Sequence, residues 1–270
     1  MQVVFHESFY NSDYSEESHD NAADPGRLVG IMEALRNDGR YEVVTPVSAT
    51  RADLLRGHGE SYVDAVEAAP QLFAMAALSA GAAIVAADLA MKGEPAFACV
   101  RPPGHHAGRS SAWGHCTFSN VALALLHLRD AGMIRSAFVV DFDQHTCDGT
   151  IDVLQGWGDV EVFNAYGDDA AGYLRILEDR LNHAPQVDVL AVSAGFDAYI
   201  HDLGHKLTTE DYYKIGRMLE AYAIRLQHRR RFAVLEGGYY IPDLGKNVLA
   251  FCRGFEYNPL ADSEWQRRLF

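Results

Sequence analysis

Short apolar runs with the composition of β-strands recur along the chain, and segments with helical periodicity separate them. Seven such runs are predicted to be strands: 2–5, 41–44, 96–100, 137–142, 160–163, 187–193 and 232–235. Because strands and helices alternate, the pattern predicts an α/β fold whose mostly parallel sheet has helices on both faces. The sequence shows no repeat and no linker rich in Pro or Ser, so a single domain over residues 1–270 is expected.

Apolar residues three and four positions apart indicate amphipathic helices between these strands. Three stripes carry this spacing: Leu28, Ile31 and Leu35; Val121, Leu125 and Leu128; and Tyr212, Ile215, Leu219 and Tyr222. Thr208 and Thr209 are candidate N-caps of the third helix, because a Thr side chain can bond the free amides of a first turn. Residues 72–91 are long enough to cross a membrane, but they are rich in Ala and include Asp88, so we interpret them as a buried core helix.

Composition and charge narrow the classes of function. The 270 residues are 49% hydrophobic and 22% charged, which is typical of a globular protein. With 37 acidic and 23 basic residues the net charge is −14, so nucleic acid would be repelled, whereas small cations or basic peptides would be attracted. The four cysteines are scattered and the first residues lack the pattern of a signal peptide, so a cytoplasmic location without membrane contact is expected.

Two adjacent histidines follow the third predicted strand. Two prolines and a glycine, in residues 101–104, stiffen a turn that presents His105 and His106. Imidazole exchanges protons near neutral pH, and ligands of parallel α/β sheets bind beyond the carboxyl ends of the strands. A single histidine would more often be structural, but this pair at a strand end favours acid-base chemistry.

Three carboxylates and an imidazole follow the fourth predicted strand. Alternation along an extended segment would place Asp141, Asp143 and His145 on one side, and Asp148 comes three residues later. Acids this close repel one another unless a cation compensates, so a metal ion is the natural counter-charge; a solvated acidic turn is the alternative. The Asp-x-His pair offers the oxygen and nitrogen ligands that suit zinc.

Two further strands end in residues that would complete such a site. Asp197 follows the strand at 187–193 and could supply a third ligand; three protein ligands with an open fourth position are typical of catalytic zinc. After the last strand, Gly237 and Gly238 turn the backbone and project Tyr239. Tyrosines are most often packing residues, but beside a metal this hydroxyl would donate a hydrogen bond to a developing oxyanion.

Together, these four segments resemble the histone deacetylase and acetylpolyamine amidohydrolase family, which has an arginase-like fold. The resemblance spans nearly the whole chain, since the segment from His19 to Arg27, and residues 52–66 with His58 and Tyr62, are similar to the family's first segments. It implies the following roles: zinc ligands Asp143, His145 and Asp197; acid-base residues His105 and His106; Asp141 and Asp148 as their respective orienting carboxylates; and Tyr239 polarising the scissile carbonyl.

The resemblance also implies features around the metal. The family often binds structural potassium through backbone oxygens near the metal strand, so K⁺ is expected around Asp141, Asp143 and His145 by resemblance alone. The substrate-binding positions that it implies are Gly114, His115, Leu203 and Gly238.

The chain departs from the family pattern at several of these positions. Thr146 and Cys147 stand where relatives have His-Gly, and a cysteine does not readily adopt the positive φ of a glycine. His115 replaces an aromatic wall of the acyl tunnel, so a more polar and wider channel is expected. The aromatic residue of the opposite wall is either missing or replaced by Tyr166. Leu203 stands where polyamine-selective relatives have an acid, so selectivity for polyamines should be weak.

These features predict a zinc-dependent amidohydrolase that removes acetyl or other acyl groups from acyl-lysine or an acylated small amine. Two alternatives are a catalytically weak module that binds the metal and an acyl ligand, and a binuclear manganese ureohydrolase on the same fold. Retention of the full acid-base set argues against a pure binding module. The ureohydrolase needs additional Asp and His ligands for a second ion, and the sequence offers one convincing set of three.

Overall fold

One parallel sheet organises the molecule, as seen in a computed structural model that describes residues 1–11 and 26–257. His19 therefore lies outside the described residues. All seven predicted strands are present: β1 (Gln2–Val4), β2 (Glu42–Val44), β3 (Ala96–Ala98), β4 (Ala137–Asp141), β5 (Val160–Asn164), β6 (Val189–Ala194) and β7 (Arg231–Leu235). They lie in the order β2-β1-β3-β7-β6-β4-β5, and every pair is parallel.

Strand register brings the chemical loops to one edge of the sheet. Asp141, Ser193 and Val234 lie side by side across β4, β6 and β7, and Ala98 of β3 pairs with Val234. The loops that leave the carboxyl ends of these four central strands are therefore neighbours in space. These are the same loops that carry the predicted site, and a parallel α/β sheet binds its ligands at this edge.

Helices flank the sheet in two layers. The described residues contain ten helices: α1 (Ser8–Asn11), α2 (Gly26–Asp38), α3 (Arg51–Leu54), α4 (Glu60–Glu67), α5 (Pro70–Met91), α6 (Asn120–Asp130), α7 (Asp148–Leu154), α8 (Ala170–Asn182), α9 (Thr209–Arg225) and α10 (Ile241–Glu256). In one layer α10 packs against α9 and α2; in the other α5 packs against α6 and the strands β1, β3 and β7. The α/β fold expected from the alternation of strands and helices is confirmed.

The helix signals in the sequence also have structural counterparts. The apolar stripes of α2, α6 and α9 are buried, and Thr208 rather than Thr209 is the N-cap of α9, in a reciprocal capping box with Asp211. By length and composition α5 could cross a membrane, but 67% of its most apolar window is buried inside the fold. This burial is typical of the core helix of a globular protein.

His58 holds the histidine-bearing loop to the segment between α3 and α4. Its Nδ1 lies 2.8 Å from the carbonyl oxygen of Gly108, and its Nε2 accepts a hydrogen bond from the Ser119 amide at 3.0 Å. This pairing requires the neutral ring with its proton on Nδ1. Burial lowers the pKa of His58 to about 4.

A pH dependence of stability follows from this buried ring. The pKa of His58 in the folded protein lies below the unfolded value of about 6.5, so the unfolded chain binds the proton first as pH falls. The contribution of His58 to stability is therefore complete only above pH 6.5. As pH falls from 6.5 to 4, His58 should remove about 2–3 kcal/mol from the free energy of unfolding. Urea titrations at several pH values should show that the free energy of unfolding falls less steeply with pH in His58→Gln than in the wild type. The same dependence on pH in both proteins would refute this role.

Candidate active site

Four loops supply the candidate site, and each leaves the carboxyl end of a central strand. The loop after β3 carries His105 and His106, the turn after β4 carries Asp143 and His145, and the other two loops carry the remaining groups. Buried glycines permit this convergence. A Cβ atom at Gly195 or Gly237 would lie 2.0 Å or 2.5 Å from Asp143 Oδ2, so both backbones approach that carboxylate as closely as glycine allows.

Asp143, His145 and Asp197 form a group of oxygen, nitrogen and oxygen donors that could hold a metal ion. His145 Nδ1 lies 3.0 Å from Asp143 Oδ1 and 2.9 Å from Asp197 Oδ2. The Asp197 oxygen is buried and makes no hydrogen bond of acceptable geometry, despite the nearby ring nitrogen. A buried carboxylate oxygen in this state is suited to a cation, so the donor set fits a metal.

Electrostatics within this group also favour a positive charge beside the two carboxylates. Hydrogen bonding to Asp143 and electrostatic attraction from Asp197 raise the pKa of His145 to about 10. Burial, with repulsion from Asp143, raises the pKa of Asp197 to about 6. Burial alone would raise the pKa of Asp143, but attraction from His105 and His145 lowers it. A bound cation would compensate the two adjacent carboxylates without requiring protons.

Each predicted acid-base histidine is bonded to the carboxylate expected for it. His105 Nδ1 donates to Asp141 Oδ2 at 3.0 Å, and His106 Nδ1 donates to Asp148 Oδ1 at 2.7 Å. The two rings are adjacent, with centroids 4.0 Å apart. Both Nδ1 atoms are therefore engaged, and a carboxylate partner fixes the tautomer that leaves Nε2 for chemistry.

The two histidines have opposite electrostatic environments. Burial would lower the pKa of His105, but attraction from Asp143 and Asp141 outweighs it and raises that pKa well above the usual value. For His106, burial together with repulsion from His105 lowers the pKa to about 4. Adjacent titratable groups with pKa values pushed apart are typical of paired acid-base residues.

Tyr239 faces the same pocket from the loop after β7. Burial raises the pKa of its hydroxyl, so the group remains a hydrogen-bond donor across the physiological range. Its backbone amide donates to Asp202 Oδ2 at 2.5 Å, and the Tyr240 amide donates to the same oxygen at 2.7 Å. The Arg27 guanidinium lies 5.2 Å from the centre of the Tyr239 ring. The loop that bears Tyr239 is thus held from two sides.

A buried glutamate joins the β7 loop to the histidine loop. Glu236 Oε2 accepts hydrogen bonds from the amides of Gly104 at 2.7 Å and His105 at 3.2 Å. Burial raises the pKa of Glu236 to about 7, despite the opposing attraction of His105. Arg27 donates to the carbonyl oxygens of Glu236 and Gly238, at 2.8 Å and 2.6 Å. These contacts fix the relative positions of the two loops.

A cavity of about 360 Å³ opens onto these groups. Its wall includes three of the predicted substrate-binding positions, Gly114, His115 and Leu203, together with Trp113. The fourth predicted position does not line it: Gly238 adopts φ +121° and its carbonyl is bonded to Arg27, whereas Gly237 does line the cavity. Tyr166 is also not part of the described wall and is 63% exposed.

The unusual pair after His145 is accommodated without strain. Thr146 is exposed, and Cys147 is buried with φ −80°, at the residue that precedes α7. Its amide donates to Asn164 Oδ1 at 2.7 Å. The backbone at this position does not need the positive φ that glycine tolerates, so a cysteine fits here without a left-handed conformation.

Three residues that shape the site were not predicted from the sequence. Trp113 stacks on His106, Asp202 binds the amides beside Tyr239, and Glu236 binds the histidine loop. Two of them could have been selected from the sequence: Glu236 directly follows a buried strand, and Trp113 directly precedes the Gly114-His115 pair. No sequence pattern points to Asp202, because the backbone amides that donate to its Oδ2 are 37 and 38 residues away.

The chain is similar in sequence to known deacetylases and in fold to a solved structure. The family model described as "Histone deacetylase domain" matches residues 67–173 and 166–255. A probable deacetylase of Methanothermobacter thermautotrophicus is 29% identical over 95% of this chain and 92% of that protein. The acetylpolyamine amidohydrolase of Mycoplana ramosa is 31% identical over 72% of this chain and 67% of that protein. The crystal structure of the HDA15 HD domain superposes with a TM-score of 0.82 at 24% identity, covering 98% of this chain and 93% of that one.

Proposed function

The chain belongs to the histone deacetylase domain family, and from this premise we propose that it is a zinc-dependent amidohydrolase that removes acyl groups from amines. The substrate class is an acyl-lysine or an acylated small amine. A likeness to an acetylpolyamine amidohydrolase supports this class, because both kinds of substrate present an acylated primary amine.

One observation carries the proposal. His105 Nε2 lies 3.8 Å from Asp143 Oδ1, so the nitrogen that is free of Asp141 faces the group of metal-binding donors. A water molecule at that group would thus be close to an acid-base histidine. His145, His106 and Tyr239 line one cavity. A candidate metal ligand, a proton carrier and a hydrogen-bond donor therefore share one space.

Zinc suits the donors, because two carboxylate oxygens and an imidazole nitrogen leave a fourth position open. When bound by Asp143, His145 and Asp197, zinc would polarise the acyl carbonyl and make hydroxide available near neutral pH. Glycine backbones crowd Asp143 on two sides, so this carboxylate has little freedom to turn away from the site.

The remaining chemistry belongs to side chains of this protein. A histidine of the His105–His106 pair accepts the proton of the attacking water, and its Asp partner stabilises the charged ring. The Tyr239 hydroxyl donates to the carbonyl oxygen as negative charge develops there. A histidine then protonates the leaving amine, which completes the hydrolysis to a carboxylate and a free amine.

Other readings of the site have less support. The complete acid-base set favours a hydrolase over a metal-binding module without turnover. Among the described residues, a second candidate metal group, His105, Cys116 and Glu236, shares no ligand with the first. A binuclear centre whose carboxylates bridge two ions is therefore not favoured. Structural potassium near Asp141 and a cytoplasmic location remain predictions.

The first experiment is a substrate screen on the zinc-loaded protein at physiological salt. We expect broad, modest turnover of acetyl-lysine peptides, longer acyl-lysines and N-acetylated polyamines. None of the described residues that line the cavity is acidic, and long-range attraction by the net charge is screened within about 8 Å. The described cavity wall therefore offers no carboxylate of its own to select a polyamine nitrogen.

The screen has two contradicting outcomes. Absence of turnover on every acylated amine, with zinc bound, would overturn the proposed function. A kcat/KM for acetylpolyamines about a hundredfold above that for acetyl-lysine peptides, or about 2.7 kcal/mol, would contradict the weak selectivity. Leu203→Glu should raise relative activity on polyamines, whereas Leu203→Gln, which adds polarity without charge, should not.

A further inference from the structure

Trp113 is in contact with two members of the acid-base set. Its ring stacks on the His106 ring, with centroids 3.6 Å apart and an angle of 29° between the planes. Its Nε1 donates a hydrogen bond to Asp148 Oδ2 at 2.8 Å. The same side chain lines the cavity and is 52% exposed. A large aromatic residue so exposed gains little from burial, and its contacts here lie at the reactive centre.

We propose that Trp113 is a positioning residue of the reaction, which fixes Asp148 against His106 and also forms an aromatic wall of the substrate channel. This inference rests on the proposed function, since it concerns the same acid-base residues. His115 lines the cavity at the expected position, and Trp113, two residues earlier, adds an aromatic surface beside it.

The positioning role follows from the exposure of Asp148. Its side chain is 53% exposed, so it lacks the packing that immobilises buried Asp141. Two hydrogen bonds hold it: Oδ1 accepts from His106 and Oδ2 accepts from Trp113. Without the indole donor, Oδ2 would bond to water and the carboxylate could rotate away from the imidazole. The indole ring also covers one face of His106 and restricts its tilt.

The wall role follows from the position of the indole beside the reactive groups. Trp113 and Leu203 are both exposed apolar side chains that line the cavity whose inner groups are His105, His145 and Tyr239. A substrate whose acyl group reaches Tyr239 would place its methylene stem in this cavity. Methylene groups are stabilised by apolar burial, so an aromatic wall favours an alkyl amine stem over a compact polar one.

Two substitutions separate the roles. Trp113→Phe keeps an aromatic ring but removes the donor to Asp148, so kcat on an acetyl-lysine peptide should fall about tenfold while KM stays within about twofold. Trp113→Ala removes the ring as well, so KM should also rise about fivefold or more. Trp157→Phe is the matched control, because Trp157 donates one hydrogen bond to a backbone oxygen of Arg135 and does not line this cavity.

Binding provides a readout that does not depend on turnover. Calorimetry with octanohydroxamate and acetohydroxamate, on zinc-loaded proteins of matched melting temperature, should show that Trp113→Ala weakens the long-stem probe about fivefold and barely affects the short one. If the wild type binds these probes but hydrolyses no acylated amine, the proposed function fails while the wall is still tested.

A kcat for Trp113→Phe equal to wild type or to Trp157→Phe would overturn the positioning role. Unchanged affinity of Trp113→Ala for octanohydroxamate would overturn the wall.

Discussion

Asp143→Ala and His145→Ala are each expected to abolish zinc retention and to lower kcat/KM about a thousandfold or more. Either change leaves two protein ligands, which hold zinc poorly against water. His145 Nδ1 lies within 3.0 Å of both carboxylates, whereas His105 Nε2 is 3.8 Å from Asp143 Oδ1 and its ring is held by Asp141. The checks are metal content by elemental analysis after dialysis, and kinetics on an acetyl-lysine peptide.

The control for this experiment is Asp179→Ala, which removes a carboxylate that is 76% exposed on α8. It should retain about one zinc per chain and wild-type kinetics. Because Asp143 also accepts the Gly237 amide, its variant needs a melting curve, and the His145 variant provides an independent test of the ligand set. Full activity in zinc-depleted Asp143→Ala would exclude this metal centre.

Tyr239→Phe should lower kcat about a hundredfold or more while zinc content and melting temperature stay unchanged. The substitution removes only the hydroxyl, so the ring keeps its position below Arg27 and the backbone keeps both bonds to Asp202. The lost donor acts only as charge develops on the carbonyl oxygen, so kcat rather than KM should carry the effect.

Tyr240→Phe is the matched control for this substitution. Tyr240 is the next residue, is 37% exposed and does not line the cavity, so its kcat should stay within about twofold of the wild type. Equal kcat values for the two variants and the wild type would reduce Tyr239 to a packing residue.

The fold was largely predictable from the sequence because its signals are local and mutually consistent. Each strand is a short apolar run followed by a turn, and the buried stripes of α2, α6 and α9 repeat with helical spacing. The positions of His105, Asp143, Asp197 and Tyr239 at strand ends followed from the parallel sheet, whose carboxyl ends meet at one edge.

Interactions across the site could not be predicted in the same way. The pairing of Trp113 with Asp148 joins residues 35 positions apart, and neither strand pairing nor helical spacing relates them. The local effect of Cys147 could not be predicted either, because the sequence does not show whether this position needs a positive φ; in the structure its φ is −80°. Likewise, Tyr166 follows β5 as expected but is exposed rather than part of the described cavity wall.

The close packing of two glycines on Asp143 sets a limit for protein engineering. Any side chain at Gly195 or Gly237 would place its first carbon 2.0 Å or 2.5 Å from the Asp143 carboxylate, which is too close for either group to keep its position. In a library of variants, these two positions should therefore tolerate substitution as poorly as the candidate metal ligands do. Redesign of the substrate range has to proceed through the exposed wall of the cavity, where Leu203 offers a side chain that belongs neither to the acid-base set nor to the metal-binding group.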